Sequence, residues 1–333
     1  MLRPSKLLSD YAIFHVLFAL QKGGIFSILN SYPTGATIQD ILAKGNFDEK
    51  ALEAFFDFLS INIPEILKKE NNKYILQDFF YDKNFQNTLF FALAYEPVLS
   101  CADSLLKRES IYGADVIRNG EYLGLSSALY NKKACDTLIE LLYDMDINTI
   151  IDLGCNKGDF LLSIGDFFPK MNVIGVEIDS VVSVIAQKEL THKYPERSTL
   201  IINGDVSSPS VWRDFIPQKK NFRATMFVGI TVWHEFLYKG EQYLLDIFLS
   251  YRKLFPGSVF VVVEYNGFSF SEFSSLPEYF RESASVYQLV HPLTLQGVPP
   301  SPSKWIELFK HAGMQLEKVV NVHPNTTIYI TIL

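Results

Sequence analysis

Cysteine is scarce in this chain. The three present among 333 residues, Cys101, Cys135 and Cys155, are an odd number without the short paired spacings of a thiolate metal site. A disulfide scaffold is thereby excluded, and a reducing, cytoplasmic setting is expected. Basic residues are also in deficit, 30 Lys and Arg against 37 Asp and Glu for a net charge of −7. No segment gathers them into a stripe, so a nucleic-acid partner is not expected. Long hydrophobic runs are missing as well: the most apolar stretches, Tyr11 to Leu20 and Thr88 to Tyr95, fall short of the roughly 20 residues that span a bilayer. They also lack the layout of a signal peptide, so no membrane partner is expected. No repeat or low-complexity stretch occurs. What the chain does have is a 48% hydrophobic composition with 20% charged residues, sufficient for a large core and, at this length, for two domains.

In the N-terminal third, Ile13, Phe14, Leu17, Phe18, Ile25, Ile28 and Leu29 fall at helical spacing, broken at Gly23-Gly24. Helices follow at 37–43 and 48–61, the second with Asp48 as N-cap, and a short hairpin spans 68–77 around Asn71-Asn72. Two helices and a hairpin suggest a winged helix. Its second helix carries Glu49, Glu53 and Asp57 among apolar residues, which a phosphate backbone would repel and a partner subunit would accept. Farther on, strands near 148–153, 172–177, 199–204, 225–230 and 258–264 alternate with helical patterns and predict a parallel sheet. Segments 314–322 and 326–332 lie close enough to form a closing antiparallel hairpin.

The most informative run is Ile150-Ile151-Asp152-Leu153-Gly154-Cys155-Asn156-Lys157-Gly158. An apolar strand ends in an acid and two glycines, which let the backbone turn tightly and approach a ligand closely. Glu177 ends the next strand, where a ribose diol needs an acceptor pair, and Asp205 follows the third, where an adenine amino group could donate. The glycine spacing leaves little room shaped for a pyrophosphate and favours a ligand without phosphates. This pattern resembles the class I S-adenosylmethionine-dependent methyltransferases over roughly residues 100–333, with Asn156 standing where their loop usually has its middle glycine. The resemblance implies a Rossmann-like α/β sheet that binds S-adenosylmethionine through Asp152, Gly154, Gly158, Glu177 and Asp205. The N-terminal part, residues 1–98, is similar to the winged-helix-like dimerisation domain of small-molecule O-methyltransferases and implies a homodimer; residues 99–333 form the methyltransferase domain.

In an open parallel sheet the ligand lies beyond the carboxyl ends of the strands. After the fourth strand comes Thr231-Val232-Trp233-His234-Glu235, and His234 matches the general base of plant-type O-methyltransferases. After the fifth, residues 265–303 make an excursion too long for a simple connection, which reads as a lid. It holds His291 and, five positions on, Gln296, which could reach one point if the segment turns helically after Pro292. Two imidazoles and an amide oxygen suit a transition-metal ion with positions left for a bidentate substrate. His234, His291 and Gln296 together resemble the 2-oxo acid C-methyltransferases, including the phenylpyruvate and 5-guanidino-2-oxopentanoate enzymes. That resemblance implies that these three residues hold iron, zinc or nickel, and that the small-molecule substrate is a 2-oxo acid methylated at carbon 3. Arg118 is a candidate for its carboxylate, with pairing to Asp115 or Glu121 as the alternative. Glu235 either orients a ligand or accepts a proton, or is simply solvated. The competing reading is a metal-free O-methyltransferase in which His234 is the base and His291 and Gln296 have no task.

Overall fold

The computed structural model describes residues 4–197, 199–216, 222–323 and 325–333. They form two compact units, residues 1–94 with 121–129, and residues 95–120 with 130–333. The chain thus passes from one unit to the other at Ala94 and again within the helix Gly120–Leu142, rather than once at residue 98.

In the first unit, helices Pro4–Lys22 and Ile25–Asn30 are separated at Gly23-Gly24, where Gly24 takes φ 69°. Helices Ile38–Leu42 and Glu49–Asn62 follow, and Asp48 caps the latter by accepting from the Ala51 amide at 2.8 Å. Strands β1 (Leu67–Glu70) and β2 (Lys73–Leu76) pair antiparallel through Asn71 and Asn72. Both asparagines have positive φ, a conformation this residue type tolerates. Leu17, Phe26, Ile41, Phe56, Leu59, Leu67 and Tyr74 are buried in one core.

The second unit carries a seven-stranded sheet of order β5-β4-β3-β6-β7-β9-β8. Strands β3 (Thr149–Leu153), β4 (Asn172–Glu177), β5 (Thr199–Asn203), β6 (Thr225–Ile230) and β7 (Val259–Tyr265) are parallel. Strands β8 (Gln315–His323) and β9 (Thr326–Ile332) close the sheet as the expected antiparallel hairpin, β9 pairing with β7. Alternate residues feed two cores, Ile151, Leu153, Phe260 and Val262 on one face and Ile150, Val259, Val261 and Val263 on the other. Burial on both faces is why these strands read as continuous apolar runs. The strand order reverses between β3 and β6, so the segments leaving those two strands flank the crevice where α/β sheets bind ligands.

The excursion after β7 contains the helices Phe270–Phe273 and Glu278–Leu293. Here the sequence expectation needs correcting. The helix precedes Pro292 rather than following it, takes that proline into its last turn and ends at Leu293, and the chain reverses through Leu295 at φ 53°. Pro292 is the last residue but one of this helix, so the hydrogen bond that it cannot donate is lost from the final turn, where the helix ends in any case.

Candidate active site

Leaving β3, the chain adopts left-handed backbone at Gly154 (φ 78°), Asn156 (φ 49°) and Gly158 (φ 85°) before the helix Asp159–Phe167 begins. Asparagine at 156 therefore supplies a conformation that glycine would otherwise provide. A Cβ on Gly154 would lie 2.9 Å from Val232, so the turn sits directly against the segment that leads to His234. Glu177, at the end of β4, accepts from the amides of Asn156 and Asp179, both at 2.9 Å. That fixes its carboxylate beside the turn with lone pairs to spare for a diol. Asp152 is 4% exposed; burial, with Glu177 and Asp159 adding repulsion, pushes its carboxyl up to about 8. Asp205 lies two residues past β5 and accepts from the Ser207 amide at 2.7 Å.

At the end of β6, Thr231 holds φ 56°, a costly backbone for a β-branched residue. A short 3₁₀ helix, Trp233–Lys239, then buries His234. Beneath it lies Glu264, fully buried on β7, which sequence reasoning missed. Its Oε1 accepts from the amides of Trp233 (2.7 Å) and His234 (3.1 Å), and its Oε2 faces His234 Nδ1 at 2.6 Å. A lone acid within Val261-Val262-Val263-Glu264 was the available signal. Burial opposes protonation of His234, but the Glu264 carboxylate more than offsets it and holds the imidazole pKa above its ordinary value. His291, 1% exposed on the helix Glu278–Leu293, points Nδ1 at the Tyr287 carbonyl at 2.5 Å. Burial and the neighbouring His234 lower its pKa to about 3.

These anchors bring the two Nε2 atoms face to face at 3.1 Å. With each Nδ1 donating to an oxygen, both Nε2 atoms carry bare lone pairs, a repulsive arrangement relieved by a proton or cation shared between them. Two nitrogens each roughly 2.0–2.1 Å from one ion can sit 3.1 Å apart as neighbouring ligands. The oxygen partners on Nδ1 are those that fix metal-binding imidazoles. Gln296 does not join them by any hydrogen bond of its side chain. Its oxygen accepts from Thr294 Oγ1 at 2.9 Å and its NH₂ donates to Glu235 in a short contact. Among the described residues no group of three or more His, Cys, Asp and Glu is arranged to hold a metal ion.

Arg118 takes neither expected partner. Asp115 accepts from the Ile111 amide of its own loop, and the guanidinium instead reaches Glu235 Oε1 at 3.3 Å and Tyr95 at 3.4 Å. Arg118, Glu235 and Gln296 line a cleft of about 400 Å³ with Tyr112, Phe236 and Thr294.

No family model matches the chain, and no curated protein is similar to it in sequence. Solved structures do match along its whole length. The mitomycin 7-O-methyltransferase MmcR is 14% identical with a TM-score of 0.69, over 99% of this chain and 96% of its own. PigF, solved with SAH, is 16% identical with a TM-score of 0.70 over 100% of both chains. Human N-acetylserotonin methyltransferase, solved with SAM, is 16% identical with a TM-score of 0.63 over 100% and 98%. The fold is that of the O-methyltransferases. Within this O-methyltransferase fold the glycine turn, Glu177, His234 and Glu264 all stand at the carboxyl ends of β3, β4, β6 and β7. His291 reaches the same end from the excursion after β7. No described helix is long and apolar enough to cross a membrane.

Proposed function

We propose that this protein transfers a methyl group from S-adenosylmethionine to a small molecule, and that the acceptor is carbon 3 of a 2-oxo acid. The whole-length likeness to O-methyltransferase structures and the glycine turn beside the Glu177 carboxylate support the first part. In this reading Gly154 and Gly158 admit the cofactor close to the backbone, Glu177 accepts from its ribose, and Asp205 accepts from its adenine. Asp152 supports the turn from the end of β3. A homodimer in a cytoplasmic setting belongs to the same reading.

The second part rests on the two Nε2 atoms facing each other at 3.1 Å. A base for O-methylation must present its free nitrogen to a substrate hydroxyl, whereas His234 presents that nitrogen to another imidazole. His234 and His291, oriented by Glu264 and the Tyr287 carbonyl, would hold iron, zinc or nickel. A bound cation supplies Lewis-acid polarisation of a 2-oxo acid, which makes its carbon 3 acidic. The residues of the chain then have separable tasks. Arg118 would anchor the carboxylate bidentately, and Glu235, 39% exposed at the cleft, would take the carbon-bound proton. Gln296 serves by holding Glu235 rather than as a third ligand.

O-methylation of a hydroxylated aromatic is the second reading. It is favoured by the names of the structural neighbours and by the His234–Glu264 pair, which would raise the basicity of a metal-free imidazole. Elemental analysis of the purified protein, followed by incubation with labelled S-adenosylmethionine and a panel of 2-oxo acids and phenols, tests both. The C-methylation reading requires metal, labelled 3-methyl-2-oxo acid, and loss of both in His291→Ala. Labelled aryl ether, with His291→Ala retaining activity, establishes the alternative.

A further inference from the structure

Arg118 is mostly buried, and the carboxylate that meets its guanidinium is not a neighbour in sequence but Glu235, 117 residues away. Glu235 is held there by more than the ion pair. Its Oε1 also accepts from the Gln296 amide, and its backbone oxygen accepts from the Gly297 amide at 3.3 Å. Gly297 presses on the same short helix so closely that a Cβ there would overlap the His234 carbonyl oxygen. The carboxylate is therefore fixed by the loop 294–297 on one side and by Arg118 on the other, at the wall of the cleft that they share.

A guanidinium offers five donors, and this one gives Glu235 a single contact at 3.3 Å and Tyr95 another at 3.4 Å. Neither is the paired, short contact of a fork on a carboxylate. We infer that Glu235 is the resident counter-ion of Arg118, a built-in competitor that an incoming carboxylate must displace, and thus a residue that sets how strongly anionic substrates are held. The inference rests on the reading above that an anionic substrate is taken at Arg118. Two carboxylates facing one guanidinium repel each other, so the resident charge weakens every anionic ligand and leaves uncharged ones unaffected. Glu235 thereby restricts the cleft to acids able to make the bidentate contact that it does not make itself.

The test is equilibrium binding without S-adenosylmethionine, using phenylpyruvate and its uncharged methyl ester as probes. In Glu235→Gln, phenylpyruvate should bind about tenfold more tightly than in the wild type and the ester unchanged. Glu235→Ser, which removes charge and reach together, should shift in the same direction. Glu235→Asp should show no tightening. Unchanged or weaker phenylpyruvate binding in both neutral variants, or equal tightening of acid and ester, overturns the inference. The underlying reading fails differently: the wild type would then bind no phenylpyruvate, or Arg118→Ala would bind it as well as the wild type does.

Discussion

Replacing Glu264 by glutamine changes one heavy atom and should reverse the tautomer of His234, while His291 keeps its Nδ1 on the Tyr287 carbonyl. In the native protein Oε1 serves two backbone amides and Oε2 accepts from His234 Nδ1. A glutamine keeps its oxygen on the amides, which can only donate, and must turn its NH₂ toward Nδ1. That nitrogen then has to accept, so the imidazole proton moves to Nε2, where it points at His291 Nε2 across 3.1 Å. The lone pair needed by a cation, or by a substrate hydroxyl, is lost. Three charge-assisted hydrogen bonds become neutral ones at roughly 1 kcal/mol each, so the stability loss is about 3 kcal/mol and the fold survives. Loss of such an outer partner typically weakens metal affinity about 10- to 100-fold. An imidazole locked in the wrong tautomer costs on the order of 10⁴ in rate. Guanidinium denaturation, metal content and methyl transfer should be measured on the same sample. A Glu264→Gln protein with wild-type turnover would refute the tautomer argument under either reading of the function, and wild-type metal content would refute the role of Glu264 in holding the ion.

Asp152→Asn should stabilise the protein more at pH 8 than at pH 5. The folded-state carboxyl, raised to about 8, favours folding while protonated, and that stability falls as pH climbs from about 4 toward 8, by several kcal/mol in all. Equal shifts in denaturation midpoint at both pH values would contradict this. The two histidines pull oppositely. His234, with its pKa raised, adds stability below about 6.5 that disappears as pH rises through its folded value, whereas His291, lowered to about 3, costs stability as pH falls from about 6.5 toward 3. In His291→Phe the acid-side decline should be shallower, and an unchanged pH profile of unfolding would count against the assignment. Gly297→Ala should sharply reduce turnover and cost a few kcal/mol, since its Cβ would meet the His234 carbonyl and the Tyr238 amide; a variant with wild-type melting and activity would show that the loop 294–297 yields freely.

What was legible in the sequence was whatever neighbours in sequence decide. Runs such as Phe260 to Val263, the turn from Gly154 to Gly158, the Asp48 cap and the Asn71-Asn72 hairpin carry their conformations in adjacent residues, and each lies where its pattern placed it. The candidate site was legible only in part, because its decisive contacts join residues that spacing cannot relate. His234 and His291 meet across 57 positions and Arg118 finds Glu235 across 117. Gln296 illustrates the limit. Five residues after a histidine its amide looked like a ligand, yet the chain reverses at Leu295 and its two ends find Thr294 and Glu235. Glu264 shows the converse: an acid in an apolar strand is a conflict within the local pattern, and such conflicts are resolved only where tertiary structure supplies donors. Here it supplies three, and the same carboxylate that would be ruinous alone becomes the group that orients His234. The strained Thr231 backbone immediately before it is a second violation of local rules at the same place. One strained backbone just past β6 and one buried acid near the end of β7 flank a single buried imidazole, the kind of local conflict that a fold tolerates where a site requires it.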